Sequence, residues 1–348
     1  MGFGADSVAL DPALRRLVGS PDQLVDVVRA VLDDGPGRGA PVLTVRNPAG
    51  ISFDVLLDRA MDIGWADAAG IPLAWRSPRG PVNSARYEPV GAGWVRTFGG
   101  GLLSTCGLAS TGAPSTVGGE HHPLHGRIGH IPAENVRWAL VDDGGQLAVE
   151  IIGDVTETAL GAPTLSLRRR IVAGVAEPVL RVEDTVRNMG WSPAGHMFRH
   201  HLNLGAPVVV PGTVVTAAVE PNGERGRPGP ASIGLPWTLD VAAGAADARV
   251  LYFRTAPGRE ARVDVRSPGG SWVSVAMDTA TWNQLVLWRD PSAGVNVLGV
   301  EPSMSRDFGR ANAERAGEVT WLEGGEERSY RTTVRAGTAG SSPVRTSA

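Results

Sequence analysis

Lysine is absent from this sequence, in which all 33 basic residues are arginine. A Schiff base, an anchor for pyridoxal phosphate and the lysine of a phosphate-binding loop all require an ε-amine. The sequence therefore excludes these three kinds of chemistry for the chain.

Cysteine is also scarce, since Cys106 is the only one. A single cysteine excludes an intramolecular disulfide and a multi-cysteine zinc site, and it fits a reducing compartment. The formal net charge of −3 gives no reason to expect nucleic acid or an anionic membrane as a partner. No run approaches 18 apolar residues, and the first 20 residues lack a secretory pattern. We expect a cytoplasmic protein that binds a small molecule.

Glycine and proline divide the chain at regular intervals, with 46 and 26 copies. Between them lie short runs such as TLSLRRRIV and VLRVEDTVRN, which are typical of strands joined by turns. Residues 22–34 have a partly helical pattern, but their abundant valine and the alternation of their side chains favour a strand over a helix. We predict an all-β fold, a large antiparallel sandwich, with a single domain over residues 22–336. Residues 1–21 form an N-terminal segment, and the small, polar stretch 337–348 predicts a disordered tail.

The stretch HMFRHHLNLG, residues 196–205, contains two adjacent histidines. Alternate side chains of a strand point to opposite faces. Arg199, His201 and Asn203 therefore share one face, and His200 lies on the other face with apolar neighbours. Three polar side chains in a row are costly to bury unpaired and favour a wet cleft. His201 becomes the candidate for chemistry, and His200 is expected in the core.

One carboxylate, Glu301, follows a nearly continuous apolar run in VNVLGVEPS, residues 295–303. It is either a functional group or a glutamate that reaches solvent at the end of a strand. Gly299 lies on the same strand face and would leave space for a ligand.

Four of the seven histidines lie in GEHHPLHGRIGH, residues 119–130. The glycine after His125 allows a sharp turn that presses this histidine toward a cavity. A metal site formed by Glu120, His121, His122 and His125 is an alternative. Their spacing matches neither the helical motif of zinc peptidases nor the His-x-His of cupins. We expect no metal at this cluster.

Four further residues are candidates for binding a substrate. Arg59 is a possible bidentate clamp for a sugar or carboxylate. Asp62 would point to the opposite face of a regular strand, so the chain must bend between the two residues if both face one cleft. Trp288 could stack on a sugar, although a tryptophan in a strand is equally compatible with the core. Gln284 lies on the same strand face as Trp288.

The motifs PLHGRIG, HHLNLG and LGVEPS, in this order on an all-β chain, resemble the galactose mutarotase (aldose 1-epimerase) superfamily. DRAMDIGWADAAGIPLAW and WLEGGEERSYRTTV resemble an under-characterised branch of it. The resemblance covers about residues 22–336 and implies a β-supersandwich without a cofactor. It also implies that Glu301 is the general base and that His125 contacts the sugar near its ring oxygen.

One position departs from the family pattern. With Asn203 aligned to the family asparagine, Arg199 replaces the family's acid histidine, and His201 lies two positions further on the same face. The resemblance implies an enzyme acting on a sugar or an oxidised sugar, with His201 as the acid. Arg199 leaves open an isomerase, epimerase or lyase of a keto-sugar, and a non-catalytic carbohydrate-binding protein is a third possibility.

Overall fold

The computed structural model describes residues 16–91, 93–226, 233–240 and 248–339. The start of the predicted N-terminal segment and residues 340–348 of the predicted tail lie outside these ranges. Among the described residues, no helix is long and apolar enough to cross a membrane.

Strands dominate the described chain. In its first half they are β1 (Asp26–Val31), β2 (Pro41–Arg46), β3 (Ile51–Leu56), β4 (Asp62–Ala68), β5 (Ile71–Pro72), β6 (Leu103–Cys106), β7 (Ser115–Val117), β8 (Glu120–His122), β9 (Glu134–Asp142), β10 (Leu147–Glu157), β11 (Leu165–Gly174) and β12 (Val179–Asn188). In its second half they are β13 (Ala194–His196), β14 (Arg199–Leu204), β15 (Val214–Ala217), β16 (Glu220–Glu224), β17 (Trp237–Thr238), β18 (Arg249–Arg254), β19 (Glu260–Arg266), β20 (Trp272–Asp278), β21 (Gln284–Asp290), β22 (Val297–Ser303), β23 (Thr320–Leu322) and β24 (Glu327–Gly337). Two short α-helices of the described residues, α1 (Gly93–Thr97) and α2 (Arg310–Ala316), lie in the connections.

Two large antiparallel sheets contain most of these strands. The front sheet has the order β1-β2-β3-β4-β6-β14-β22-β21-β18-β16, with β5 beside β4. The back sheet has the order β17-β15-β19-β20-β24-β12-β11-β10-β9. The predicted all-β antiparallel sandwich is confirmed, and residues 22–34 contain the edge strand β1 instead of a helix.

The core lies between the two sheets because each strand buries alternate side chains there. On β3 the buried side chains are Ile51, Phe53 and Val55, and the residues between them are partly exposed. Leu167 and Ile171 occupy equivalent inward positions on β11 of the back sheet. The opposite face of the front sheet is free of this core and carries the candidate site.

A buried polar network joins the sheets inside this core. Two Arg169 nitrogens donate to the Asp184 carboxylate at 2.9 and 2.7 Å. His200 Nε2 lies 2.7 Å from the same carboxylate, and its Nδ1 lies 3.0 Å from the Thr332 hydroxyl. The inward orientation that strand parity predicts for His200 is present, although its neighbours include charged groups. Its neighbour His201 consequently points to the outer face.

Candidate active site

The register of the front sheet sets five residues in one row on its outer face. Ser104 of β6 is opposite His201 of β14, and Glu301 of β22 is opposite Val286 of β21, which is opposite Tyr252 of β18. The pairing of β14 with β22 brings His201 next to Glu301. Strand register alone therefore brings together two predicted catalytic residues that are 100 positions apart in sequence.

His201, Glu301 and Arg199 form a buried charged cluster. His201 Nε2 lies 3.3 Å from Oε1 of Glu301. Arg199 donates from Nη1 to the other carboxylate oxygen, Oε2, at 2.9 Å. It also donates to the Ser303 hydroxyl at 3.1 Å and to the Ser305 carbonyl oxygen at 3.2 Å. Arg199 thus fixes one oxygen of the carboxylate and leaves the other facing the imidazole.

Opposing effects act on the protonation of His201. Burial lowers the pKa of its imidazole below the ordinary 6.5, the negative charge of Glu301 opposes this shift, and the positive charge of Arg199 adds to it. Among the described residues, neither its buried Nδ1 atom nor the buried Oδ1 of Asn203, two residues along the same strand face, has a hydrogen bond of regular geometry. The Asn203 side chain nevertheless acts on the ring and raises the pKa of His201. Buried polar atoms without partners are uncommon in folded proteins and often mark functional sites.

His125 approaches the same cluster from a loop. Its φ of 59° is followed by 77° at Gly126, where a Cβ atom would lie 2.2 Å from the Gly107 carbonyl oxygen. The sharp turn expected from the sequence is therefore present, and its glycine is required by a close backbone approach. The His125 ring lies 5.7 Å from the His201 ring. Burial, reinforced by the positive electrostatic influence of His201 and Arg199, lowers the pKa of His125 well below 6.5.

Aromatic rings surround the two histidines. Trp94 on α1 contacts His125 with ring centroids 4.6 Å apart, and Phe98 lies 5.7 Å from His201. Trp288 of β21 lies 5.5 Å from His201 in an edge-on arrangement. Trp75, Phe98 and Trp288 also line a neighbouring cavity of about 620 Å³. We call Trp75, Trp94, Phe98 and Trp288 the aromatic cluster.

The space above Gly299 is smaller than the sequence suggested. A Cβ atom at this position would lie 2.8 Å from Oε1 of Glu301 and 3.0 Å from Cβ of Trp288. Glycine is needed here because the carboxylate and the indole side chain already fill the volume that we expected for a ligand.

Two other predicted binding residues, Gln284 and Asn203, lie near the cluster and hydrogen-bond to other residues of the protein. Gln284 lies on the site face opposite Ser303, and its side-chain oxygen accepts a hydrogen bond from Asn222 at 2.9 Å. Asn203 donates to the Gly101 carbonyl oxygen at 3.1 Å and to that of His201 at 3.0 Å. Both residues help to build the floor of the site.

Arg59 and Asp62 hydrogen-bond to groups other than the Glu301–His201 pair. Asp62 accepts two hydrogen bonds from Thr105, at 2.8 and 2.5 Å, and lies 3.7 Å from Arg169 in the core. Burial raises its pKa to about 6 against the opposing charges of Arg169 and Arg59. Arg59 Nη2 lies 3.3 Å from Nε2 of His130. The turn between them, with φ of 52° at Ala60 and 57° at Met61, sends the two side chains to different places.

Sequence reasoning missed Asp307, which connects several parts of the site. Its carboxylate accepts from the Tyr252 hydroxyl and contacts the Arg225 guanidinium, and its carbonyl oxygen accepts from Ala113 N at 2.8 Å. The carbonyl oxygen of Gly112, the residue before Ala113, accepts from His125 N at 2.8 Å. Asp307 therefore supports the loop that holds His125. An acidic residue in the segment SRDFGR was the only available signal.

Two further observations bear on alternative sites. Within the described ranges, no three His, Cys, Asp or Glu side chains are grouped so that they could hold a metal ion. A cavity of about 640 Å³, lined by Glu157, Arg310 and Trp321 among others, lies elsewhere and includes neither Glu301 nor His201. Cavity size alone is weaker evidence than the buried contact of an acid with a base, so we place the candidate site at the contact.

Comparison with known proteins agrees with this fold. Residues 37–336 match a family model described as a domain of unknown function, DUF4432. A Klebsiella pneumoniae protein provisionally named aldose 1-epimerase superposes with a TM-score of 0.81 at 21% identity, over 90% of this chain and 85% of the other. A galactose mutarotase-like protein of Clostridium acetobutylicum gives 0.63 at 12% identity, over 90% and 98%. A galactose 1-epimerase of Lactobacillus acidophilus gives 0.57 at 13% identity, over 90% and 99%. No curated protein matches the chain. At these identities the structural matches establish the galactose mutarotase-like fold alone.

Proposed function

The chain belongs to the DUF4432 family, and from this premise and the geometry of the site we propose that it is an aldose 1-epimerase-like enzyme. Its substrate would be a sugar or a sugar derivative with a free anomeric hydroxyl. Glu301 would act as the general base and His201 as the general acid, with His125 assisting.

The observation that carries this proposal is the 3.3 Å contact between His201 Nε2 and Glu301 Oε1 in a buried setting. The two oxygens that exchange protons in anomer interconversion are the anomeric hydroxyl and the ring oxygen, and both are bonded to C1. An acid and a base that serve them must therefore lie close together. The contact between His201 and Glu301 meets this requirement.

The proposed reaction transfers two protons. Glu301 removes the proton of the anomeric hydroxyl while the His201 imidazolium protonates the ring oxygen, so that the C1–O5 bond breaks and an open-chain aldehyde forms. Rotation about C1–C2 presents the other face of the carbonyl group. The ring then closes as both protons return. An acid–base pair of this kind typically contributes about 10²- to 10⁴-fold to the rate.

Substrate binding would use the groups around this pair. Within the described part of the chain, Nδ1 of His125, Nδ1 of His201 and Oδ1 of Asn203 are buried atoms without a regular hydrogen bond. They would bond to sugar hydroxyl groups only when the substrate displaces the side chains that cover them. The aromatic cluster offers apolar ring surface to the C–H face of a sugar, and Trp288 borders both His201 and the neighbouring cavity.

The keto-sugar alternative was based on Arg199 in place of the family's histidine, since extra positive charge in the cleft would suit an enediolate. This guanidinium is hydrogen-bonded to Glu301, Ser303 and Ser305. Its charge is therefore matched by the carboxylate, and it has less capacity to stabilise an enediolate. This arrangement favours anomer interconversion.

Saturation-transfer NMR on a panel of aldoses and sugar acids tests the proposal. We expect exchange between the α and β anomers of at least one sugar to exceed the spontaneous rate in proportion to protein concentration. A sugar that binds without faster exchange across the panel would instead indicate a carbohydrate-binding protein and contradict the proposed activity.

A further inference from the structure

A second pocket contains a buried arginine without a carboxylate partner. Arg59 is 6% exposed. Its guanidinium contacts the Val82 carbonyl oxygen at 3.4 Å and the His130 ring at 3.3 Å. No carboxylate oxygen of the described residues lies within 4.0 Å of it. An arginine carries five N–H donors and keeps its charge in proteins, so this group cannot become neutral to relieve its burial.

His130 does not supply the missing negative charge. Burial, reinforced by the positive charge of Arg59, lowers the pKa of His130 to about 2, so the ring is neutral. Because Arg59 can only donate, Nε2 of His130 acts as an acceptor. Asp62 and Asp58 influence Arg59 only from a longer distance, and burial lowers the pKa of Arg59 in spite of them.

Arg59 lines a cavity of about 380 Å³ that also contains Arg76 and Trp65. The exposed Arg76 guanidinium lies 6.0 Å from the Trp65 ring, and within the described part of the chain no carboxylate oxygen is within 4.0 Å of it. Asp54 is the one acidic residue among the described residues of the lining, and it accepts from the Thr44 hydroxyl at 2.7 Å. Burial raises the pKa of Asp54, although this hydrogen bond and the positive charge of Arg76 oppose the shift. The lining thus has two positive groups and at most one negative group.

We propose that this pocket binds the oxyanion group of a small molecule, a carboxylate or a phosphate, between Arg59 and Arg76. The planar guanidinium fork matches both groups in geometry and charge. The volume lies within the range of pockets that hold small molecules. The bound oxyanion compensates the charge that Arg59 carries into the protein.

This oxyanion pocket is separate from the Glu301–His201 pair but adjoins its supports. The His130 ring that contacts Arg59 also lies 3.2 Å from the Thr97 hydroxyl of α1 and stacks on Tyr87 at 3.7 Å. Phe98, which contacts His201, directly follows Thr97. The inference nevertheless concerns binding alone and does not depend on the proposed activity.

Isothermal titration of the full chain at constant ionic strength tests the inference. The probes are inorganic phosphate, glucose 6-phosphate and gluconate, with glucose as the uncharged control. We expect at least one oxyanion to bind. Arg76→Gln should weaken that binding about tenfold or more, because a charge-assisted hydrogen bond is lost. Arg29→Gln, which replaces an exposed arginine that lines neither this pocket nor the cavity beside the aromatic cluster, should bind like the wild type.

A second variant tests the buried charge. Arg59→Met should abolish oxyanion binding while leaving the melting temperature without ligand unchanged or higher, since an uncompensated charge is removed. Binding of the phosphate alone or of the carboxylate alone supports the site and identifies its ligand. Failure of all three oxyanions to bind, or equal binding by the wild type, Arg76→Gln and Arg59→Met, would overturn the inference.

Discussion

His201 and Glu301 lie on neighbouring strands with Nε2 and Oε1 3.3 Å apart, and Arg199 holds the second carboxylate oxygen at 2.9 Å. The three side chains are buried on the outer face of the front sheet. A histidine, a carboxylate and an arginine are therefore placed together by strand register instead of by flexible loops, which favours a rigid geometry of the proposed catalytic pair.

Replacing each of the two adjacent histidines should have different consequences. His201→Asn removes the proposed acid and should lower kcat by about 10²-fold or more. His200→Asn removes the contact with Asp184 and should mainly destabilise the fold. Anomer exchange and thermal unfolding of both variants check this. Loss of turnover in His200→Asn with unchanged stability, and normal turnover in His201→Asn, would contradict the assignment.

The activity should fall as the pH rises. His201 must be an imidazolium to act as the acid, and burial keeps its pKa below 6.5 although Glu301 opposes the shift. Above that pKa the protonated fraction decreases about tenfold for each pH unit. We expect kcat/KM, corrected for spontaneous exchange, to decrease between pH 6.5 and pH 8. Removing the charge in Glu301→Gln should move this decrease to lower pH; a flat profile would contradict the role of His201.

The Asp184 carboxylate should be important for stability. Burial alone would raise its pKa, but Arg169 and His200 outweigh this effect and lower the pKa to about 2. Asp184→Asn leaves the fully buried Arg169 with only the Asp62 carboxylate, 3.7 Å away, and should cost about 3–5 kcal/mol of unfolding free energy. Urea denaturation measures this cost. Glu183→Gln, a partly exposed residue on the same strand that pairs with Arg170, should cost about 1 kcal/mol or less.

The lowered pKa of Asp184 predicts that the free energy of unfolding depends on pH. Because the folded pKa of Asp184 is below the ordinary 3.8, its contribution is complete above pH 3.8 and is lost as the pH falls toward 2. The difference in stability between the wild type and Asp184→Asn should therefore shrink below pH 3.8. A difference that stays constant down to pH 2 would show that the carboxylate charge is not its cause.

Chelation should leave the activity unchanged. The proposed chemistry uses only side chains, and we predict no role for a metal at His121, His122 or His125. Turnover before and after exhaustive chelation, together with elemental analysis, tests this prediction. A stoichiometric metal ion whose removal abolishes anomer exchange would contradict it.

Strand patterns predicted the fold and part of the site. Alternation along β14 placed His201 with Arg199 and opposite to His200, because this parity depends only on neighbouring residues. The same reasoning placed Gln284 on the side of Trp288. Glu301 became a candidate because it follows an apolar run and because LGVEPS resembles a known motif, and its role as the base remains a prediction.

Contacts formed by loops could not be predicted in this way. Trp94 and Phe98 reach the histidines from a connection between strands, and Asp307 supports the His125 loop from almost 200 residues away. The ion pair of Arg199 with Glu301 depends on the pairing of two strands that are distant in sequence. Sequence periodicity contains no information about such pairings.

The most direct test of the account is saturation-transfer NMR of anomer exchange by Glu301→Gln, together with its ligand affinity. Glutamine keeps the shape of the side chain and one oxygen that can accept from Arg199, but it removes the base and the negative charge that balances this buried arginine. Thermal unfolding of the variant is therefore measured beside its activity, so that lost folding is distinguished from lost catalysis. We expect exchange to fall by about 10²-fold or more while affinity is retained. The double variant Glu301→Gln/His201→Asn should be little slower than either single variant, because residues that act as one unit are non-additive. Wild-type exchange in Glu301→Gln would contradict the proposed catalytic pair.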